Sequence, residues 1–405
     1  MSKQILIIGT GFAGMWASLA AARLRHLEGK SGDDVTISVI SPRPELHIRP
    51  RFYEADLAGM APSLTALFDA AGVRFITGTV KQIHAQDHAV NYIDANGNDA
   101  SFTYDKLVLA SGSTLFRPAI PGLKEHAFSV DQLSDAQELQ RHLNGLAQRP
   151  ASKARNTVVI GGGGFTGIET AAEMPARLRA ILGEDADIEV IVVERAQDIG
   201  PDLGPGPRAI IEQALREQGV VVRLGQAVAS VDAGGVTTAS GERIEADTVI
   251  WTAGARASEL AAQIDGERDS FGRLHVTPAL RVGDSDVYAT GDTAFAASDD
   301  QGNHAAMSCQ HAMNLGRSAG HNVMADVLGL PSIPYDQPIY VTCLALGPAN
   351  AVYTQGWDRK IKLSGAEAAA LKGQINTQWI YPPRADMADI VAAADPTSRP
   401  VQYID

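Results

Sequence analysis

Apolar positions along the chain fall into two similar runs. Ile5-Leu6-Ile7-Ile8 leads into Gly9-Thr10-Gly11-Phe12-Ala13-Gly14 and an alanine-rich stretch of helical spacing; Val158-Val159-Ile160 leads into Gly162-Gly163-Gly164-Phe165-Thr166-Gly167 and a second such stretch. Each predicts strand, glycine turn and helix. Further β-branched runs, Val35 to Ile40 and Ile188 to Val193, close each unit into a βαβ motif with parallel strands. Short strands are expected at Val73 to Ile76, Thr79 to Ile83, Ala89 to Ile93 and Leu107 to Leu109. A matching set follows the second unit at Val220 to Leu224, Ala227 to Val231, Val236 to Thr238 and Thr248 to Trp251. The polar stretch from Gln148 to Asn156, with Pro150, reads as a linker. Later come a strand at Val287 to Ala289 and a long helix from about Ala305 to Leu328, with Ala312, Leu315, Ala319, Val323 and Val327 on one face. Ile339 to Leu346 and Ala351 to Thr354 read as strands of a small terminal module, and the tail from Pro382 is polar and proline-containing.

The fold class is therefore α/β, with two Rossmann-like dinucleotide-binding domains and a small C-terminal α+β module. A chain of 405 residues can enclose a cofactor of that size. With 34 Lys+Arg against 47 Asp+Glu the net charge is −13, and no basic run marks a nucleic-acid surface. Cys309 and Cys343 are the only cysteines and lack metal or redox-pair spacing, so both are expected to be buried and inert, with no metal site. No signal peptide or spanning segment is read, which makes a soluble cytoplasmic protein, with no integral membrane association, the expectation.

Glycines at such turns let backbone approach a pyrophosphate, and the helix N-terminus offers free N–H groups to the anion. Leu107 to Leu109 runs into Ala110-Ser111-Gly112, and Thr248 to Trp251 into Thr252-Ala253-Gly254. Val287-Tyr288-Ala289-Thr290-Gly291-Asp292 ends a strand on a glycine and a carboxylate, a pairing suited to the ribityl chain of a flavin. Glu194 ends the second unit's second strand, where an acid binds ribose hydroxyls and repels a 2′-phosphate. NADH is therefore expected over NADPH, with NADPH still possible because Arg195 adjoins it.

These motifs resemble those of the flavoproteins with two dinucleotide-binding domains, and within them the type II NADH dehydrogenases, over roughly residues 3 to 355. The resemblance implies non-covalent FAD at Gly9, Gly11 and Gly14, NADH at Gly162, Gly164 and Gly167, and Gly291 and Asp292 against the flavin. It extends the cofactor contacts to Phe12, Ala13, Ser41, Arg43, Val80, Ala110, Ser111 and Gly112, and to Phe165, Thr166, Glu194 and Gly254. It also implies a catalytic carboxylate at Glu169, facing the nicotinamide and flavin junction, where a helix-start acid has the alternative role of stabilising the dipole. Domains are expected at 1–118 with 256–330 for FAD, 119–255 for NAD(P)H and 331–405 for the terminal module. The helix beginning near Ala305 is expected to aim its N-terminus at the flavin pyrimidine ring. The segment Pro50-Arg51-Phe52-Tyr53-Glu54 also looks like the family's.

Three departures stand out. Ser41 replaces the usual acid at the adenosine ribose of FAD, which predicts looser FAD binding unless Arg43 or Glu45 compensates. Of the two glutamines of the family's quinone helix only Gln310 matches, Asn314 replacing the second, with His311 between them as packing residue or proton donor. No basic amphipathic helix ends the chain. The expected activity is transfer of hydride from NADH to FAD and of electrons to a quinone-like or other small-molecule acceptor, by an enzyme for which a homodimer is one open state of assembly. A ferredoxin reductase-like enzyme and an NADH-sensing flavoprotein resembling apoptosis-inducing factor remain open. A disulfide reductase is excluded by the cysteines, and a flavin monooxygenase by the lack of its fingerprint.

Overall fold

The computed structural model describes residues 2–398. Its largest sheet has seven strands in the order Val287–Ala289, Lys106–Leu109, Lys3–Ile8, Val35–Ser41, Arg74–His84, Ala89–Asp94, Asp99–Thr103. The first five are parallel and the last two antiparallel. Lys3–Ile8 lies at the centre, and Ile5, Leu6 and Ile7 are fully buried, as a strand covered on both faces requires. The late strand Val287–Ala289 pairs with Lys106–Leu109, so the chain leaves this sheet, builds the second unit and returns.

The second unit is a parallel sheet in the order Val220–Arg223, Glu189–Val193, Thr157–Gly161, Thr248–Trp251. Beside it stands an antiparallel three-stranded sheet, Val228–Asp232, Gly235–Thr238 and Arg243–Glu245. The crossing points of the chain, Ser113–Leu115 and Ala255–Ala257, pair with each other.

Several expectations give way to tertiary structure. The two strands read at Val73 to Ile76 and Thr79 to Ile83 are one strand, Arg74–His84, because Gly78 lies flush against the Tyr92 ring of the neighbouring strand instead of breaking the ladder. The expected linker contains a helical turn, Lys153–Asn156, capped by Ser152. The long helix begins at Cys309, not Ala305. Ala305 is held extended, its N–H donating to the Ala296 carbonyl at 2.9 Å and its carbonyl accepting from Arg273 at 2.6 Å, and Ser308 then caps the helix. The polar tail, where the pattern predicts no element, carries the helix Met387–Ala393, whose Ile390 is buried.

The terminal module is an antiparallel sheet, Val341–Ala345, Ala351–Gln355 and Lys360–Ser364, covered by the helix Gly365–Gln374, which continues as a π-helical turn over Ile375–Trp379. It packs on the helix Phe165–Leu182 of the second unit, and the Met387–Ala393 helix packs on Phe12–Leu27 of the first. Among the described residues no helix is long and apolar enough to cross a membrane.

Candidate functional site

One cleft of 2520 Å³ runs between the units and under the terminal module. Both glycine turns open into it. Gly9 and Gly162 take φ of +105° and +113°, and side chains there would meet the Ala110 carbonyl at 2.5 Å and Ala253 Cβ at 2.8 Å. At Gly11 and Gly164 an added Cβ would meet nothing within 4 Å, so the space before each helix is open. Gly14 and Gly167 do not line the cleft. Their absent side chains let each helix sit on its own turn, since a Cβ would lie 2.0 Å from the Gly9 carbonyl oxygen and 1.9 Å from that of Gly162.

Of the other expected cofactor residues, Phe12, Ala13, Ser41, Arg43, Val80, Ala110, Ser111, Gly112, Asp292, Phe165, Thr166, Glu194 and Gly254 line the cleft. Gly291 does not; at φ +63° it packs against Ala13, where a Cβ would come within 2.6 Å of the alanine Cβ. Ser111 Oγ is buried without a partner among the described residues, a hydroxyl free for a ligand. The two dinucleotide turns, the open space before each helix and this hydroxyl fit two dinucleotides.

The ends of the second strands differ. Glu194 is buried, and its two carboxylate oxygens accept from the N–H of Gly163 at 2.6 Å and of Ala196 at 2.8 Å. The acid is thus oriented by the turn it serves. At the equivalent place Ser41 Oγ meets Thr10 Oγ1 at 3.0 Å and carries no charge. Glu45 also lines the cleft, 3.3 Å from His47 Nε2 and 3.9 Å from Arg43 Nη1.

Asp292 accepts from Ser113 Oγ at 2.6 Å and lies 3.8 Å from Arg49 Nη1, whose Nη2 is ion-paired to Asp131. Burial works against the Arg49 charge, yet Asp131 and Asp292 outweigh it and raise its pKa. Arg49 was not singled out in the sequence, although a charge amid Leu46, Ile48 and Phe52 of an apolar stretch was a visible signal.

Glu169 lies in the first turns of the second glycine-turn helix, 3 % exposed. It accepts from Lys372 Nζ at 2.8 Å and from the Ala345 N–H at 3.0 Å. Burial raises its pKa against the pull of Lys372, while for Lys372 burial is outweighed by Glu169, which keeps the ammonium charged. Lys372 Nζ also donates to the Cys343 carbonyl at 2.8 Å. Nothing local in the sequence pointed to Lys372.

Gln310 lines the cleft near this pair; His311 and Asn314 do not. Asn314 Oδ1 accepts from Arg317. His311 is fully buried, its Nδ1 2.9 Å from Ser308 Oγ, with Tyr340 and Trp357 5.0 and 6.0 Å away between ring centres. Burial, then Arg359 and Arg273, lower its pKa to about 3, so the ring is neutral at ordinary pH and has no spare proton to give. Cys343 is buried and Cys309, expected to be buried, is only partly so and lines the cleft; burial pushes both thiols up to about 11. Neither is a reactive thiolate.

The model of the pyridine nucleotide-disulphide oxidoreductase family matches residues 3–316, and the chain belongs to that family. It is 45 % identical over 401 residues to an NADH dehydrogenase-like protein of Mycobacterium tuberculosis, covering 98 % of this chain and 99 % of that one. It is 30 % identical to a demethylphylloquinone reductase of Synechocystis, covering 90 % and 89 % of the two chains. Among solved structures, NDH2 of Plasmodium falciparum in complex with NADH has the same fold at 15 % identity, with a TM-score of 0.77 over 97 % of each chain. The chain is thus an oxidoreductase of the NADH dehydrogenase-like kind, using FAD and NADH.

Proposed function

We propose that this enzyme oxidises NADH and delivers the electron pair to a quinone-type small molecule within the same cleft. The observation that carries this reading is the continuity of the cleft from both glycine turns to the buried Glu169–Lys372 pair. FAD, when bound, accepts hydride from NADH and passes on two electrons, so that NADH, one proton and a quinone become NAD⁺ and a quinol. The chain supplies position and charge. The first turn and Asp292 hold FAD; the second turn and Glu194 hold NADH; Glu169 orients the nicotinamide amide. The capped helix N-terminus at Ser308, whose neighbours Met307 and Gln310 line the cleft, faces negative charge that develops there. With both thiols protonated near neutral pH, neither sulfur is a nucleophile toward the flavin. A quinone is favoured over a protein carrier because the Synechocystis relative is a demethylphylloquinone reductase.

The test is anaerobic. NADH added to the purified yellow protein should bleach the visible flavin bands, and menadione should restore them within one turnover, with NADPH much slower as the donor. Bleaching that menadione and benzoquinones fail to reverse would overturn the acceptor assignment, and equal rates with NADPH would overturn the role of Glu194.

A further inference from the structure

Part of the cleft is lined by residues that neither glycine turn uses: Met313 and Arg317 of the long helix, and Ile375, Asn376, Trp379 and Ile380 of the terminal module. Trp379 is 47 % exposed, whereas Arg317 is only 5 % exposed. Its guanidinium carbon lies 3.9 Å over the Trp16 ring, which holds the planar group flat. Nε donates to the Ala393 carbonyl at 2.9 Å and Nη1 to Asn314 Oδ1 at 2.8 Å. Both of these acceptors are neutral. Among the described residues no carboxylate is ion-paired to Arg317. The acid whose field reaches it, Asp395, is ion-paired to Arg23 at 2.6 Å.

A buried cation without a counter-charge is costly, and the chain retains this one beside a cleft of apolar and aromatic side chains. Burial lowers its pKa to about 10, partly offset by Asp395, so the charge persists at neutral pH. Among the described residues Nη2 has no hydrogen-bond partner, and it is not one of the buried orphaned atoms. It is the part of the fork left for a ligand, and a guanidinium suits a planar oxyanion.

We propose that Arg317 recognises an anionic group, a carboxylate, sulfonate or enolate, on an aromatic acceptor whose ring lies among Met313, Ile380 and Trp379. This inference rests on the acceptor reading of the cleft and deepens it by naming the substrate class.

Two probes separate the charge from the ring: lawsone, a naphthoquinone that is an enolate at neutral pH, and menadione, its neutral counterpart. Binding to the oxidised holoenzyme is followed by the perturbation of flavin absorbance. Arg317→Gln should weaken lawsone roughly tenfold or more and leave menadione unchanged, and Arg317→Lys should recover part of the loss. Because Arg317 also anchors the Met387–Ala393 helix, Asp386→Ala is the control. Asp386 caps that same helix by accepting from the Asp389 N–H at 3.0 Å and lies outside the cleft. Equal weakening of both probes, no weakening of lawsone, or the same loss in Asp386→Ala would overturn the proposal. Should Arg317→Gln not retain FAD, Arg317→Lys carries the test, with lawsone weakened and menadione spared. Turnover is a separate arm. If the wild type binds lawsone through Arg317 yet reduces neither menadione nor a naphthoquinone sulfonate, the acceptor reading fails and the anion site stands. If it reduces both and Arg317→Gln does not discriminate between them, the anion site fails alone.

Discussion

His311 makes acid the weak side of this fold. Its pKa falls from 6.5 to about 3 on burial. Above 6.5 the imidazole is neutral in both folded and unfolded chains and the group has no effect. As pH falls through the window from 6.5 to about 3, the unfolded chain takes up a proton that the folded one refuses, and stability declines. At about one and a half units below the unfolded pKa the loss is on the order of 2 kcal/mol. His311→Gln, which can keep a hydrogen bond to Ser308, should therefore flatten the fall of the urea midpoint between neutral and mildly acidic solution. An unchanged slope would mean that the ring can be protonated in the fold. Sequence spacing put His311 beside Gln310, but its surroundings are Tyr340 and Trp357 from the terminal module, and no local pattern joins those rings to this helix. Glu194 was legible for the opposite reason, because its strand, its turn and its hydrogen bonds all lie within one βαβ unit.

Between elements, Phe12–Leu27 and Cys309–Leu328 pack backbone against backbone. A Cβ on Gly320 would fall 2.0 Å from the Ala17 carbonyl oxygen, and one on Gly316 2.5 Å from that of Ala13. Both obstacles are backbone, so Gly320→Ala must push apart the helix that opens the FAD turn and the helix that carries Gln310 and Arg317. Overpacking of this kind costs about 1 to 3 kcal/mol, and FAD retention should fall along with the melting temperature. Gly373→Ala is the contrasting case, inside the Gly365–Gln374 helix with nothing within 4 Å of the added Cβ. It should be neutral or stabilise by up to about 1 kcal/mol through helix propensity. Equal behaviour in calorimetry would show that the helix contact is not tight. The sequence showed the apolar face of the long helix, of which Ala312, Leu315, Ala319 and Val323 are buried and Val327 half-buried. It did not show that Gly316 and Gly320 set the spacing, since a glycine inside a helix reads only as a weak propensity. The helices Gly365–Gln374 and Met387–Ala393 escaped notice because they are short and hold their places by docking, the second through Arg23 and Arg317.

At the scale of the whole molecule, the two dinucleotide units and the parallel core were legible because each is a local motif repeated. The closure of the terminal module over them was not, because its contacts join residues far apart in sequence, the buried Glu169–Lys372 ion pair among them. The Glu169–Lys372 pair joins the helix of the second unit to the helix Gly365–Gln374 and faces the cleft. It therefore has two separable effects. Structurally, removing one partner strands the other charge. Lys372→Met leaves Glu169 with the Ala345 N–H as its one donor among the described residues, and a broken buried pair costs about 3 to 5 kcal/mol. The double variant Glu169→Gln with Lys372→Met strands no charge and should melt well above the sum of the single losses. Functionally, an oriented carboxylate that positions the nicotinamide amide predicts that Glu169→Gln slows flavin reduction by NADH roughly tenfold or more, beyond any loss of stability. The measurement is stopped-flow bleaching of the flavin beside thermal unfolding, on protein shown to retain FAD. If Glu169→Gln melts earlier but its flavin is reduced at the wild-type rate and reoxidised normally by menadione, the pair serves to fasten the module, and the nicotinamide is held by something else.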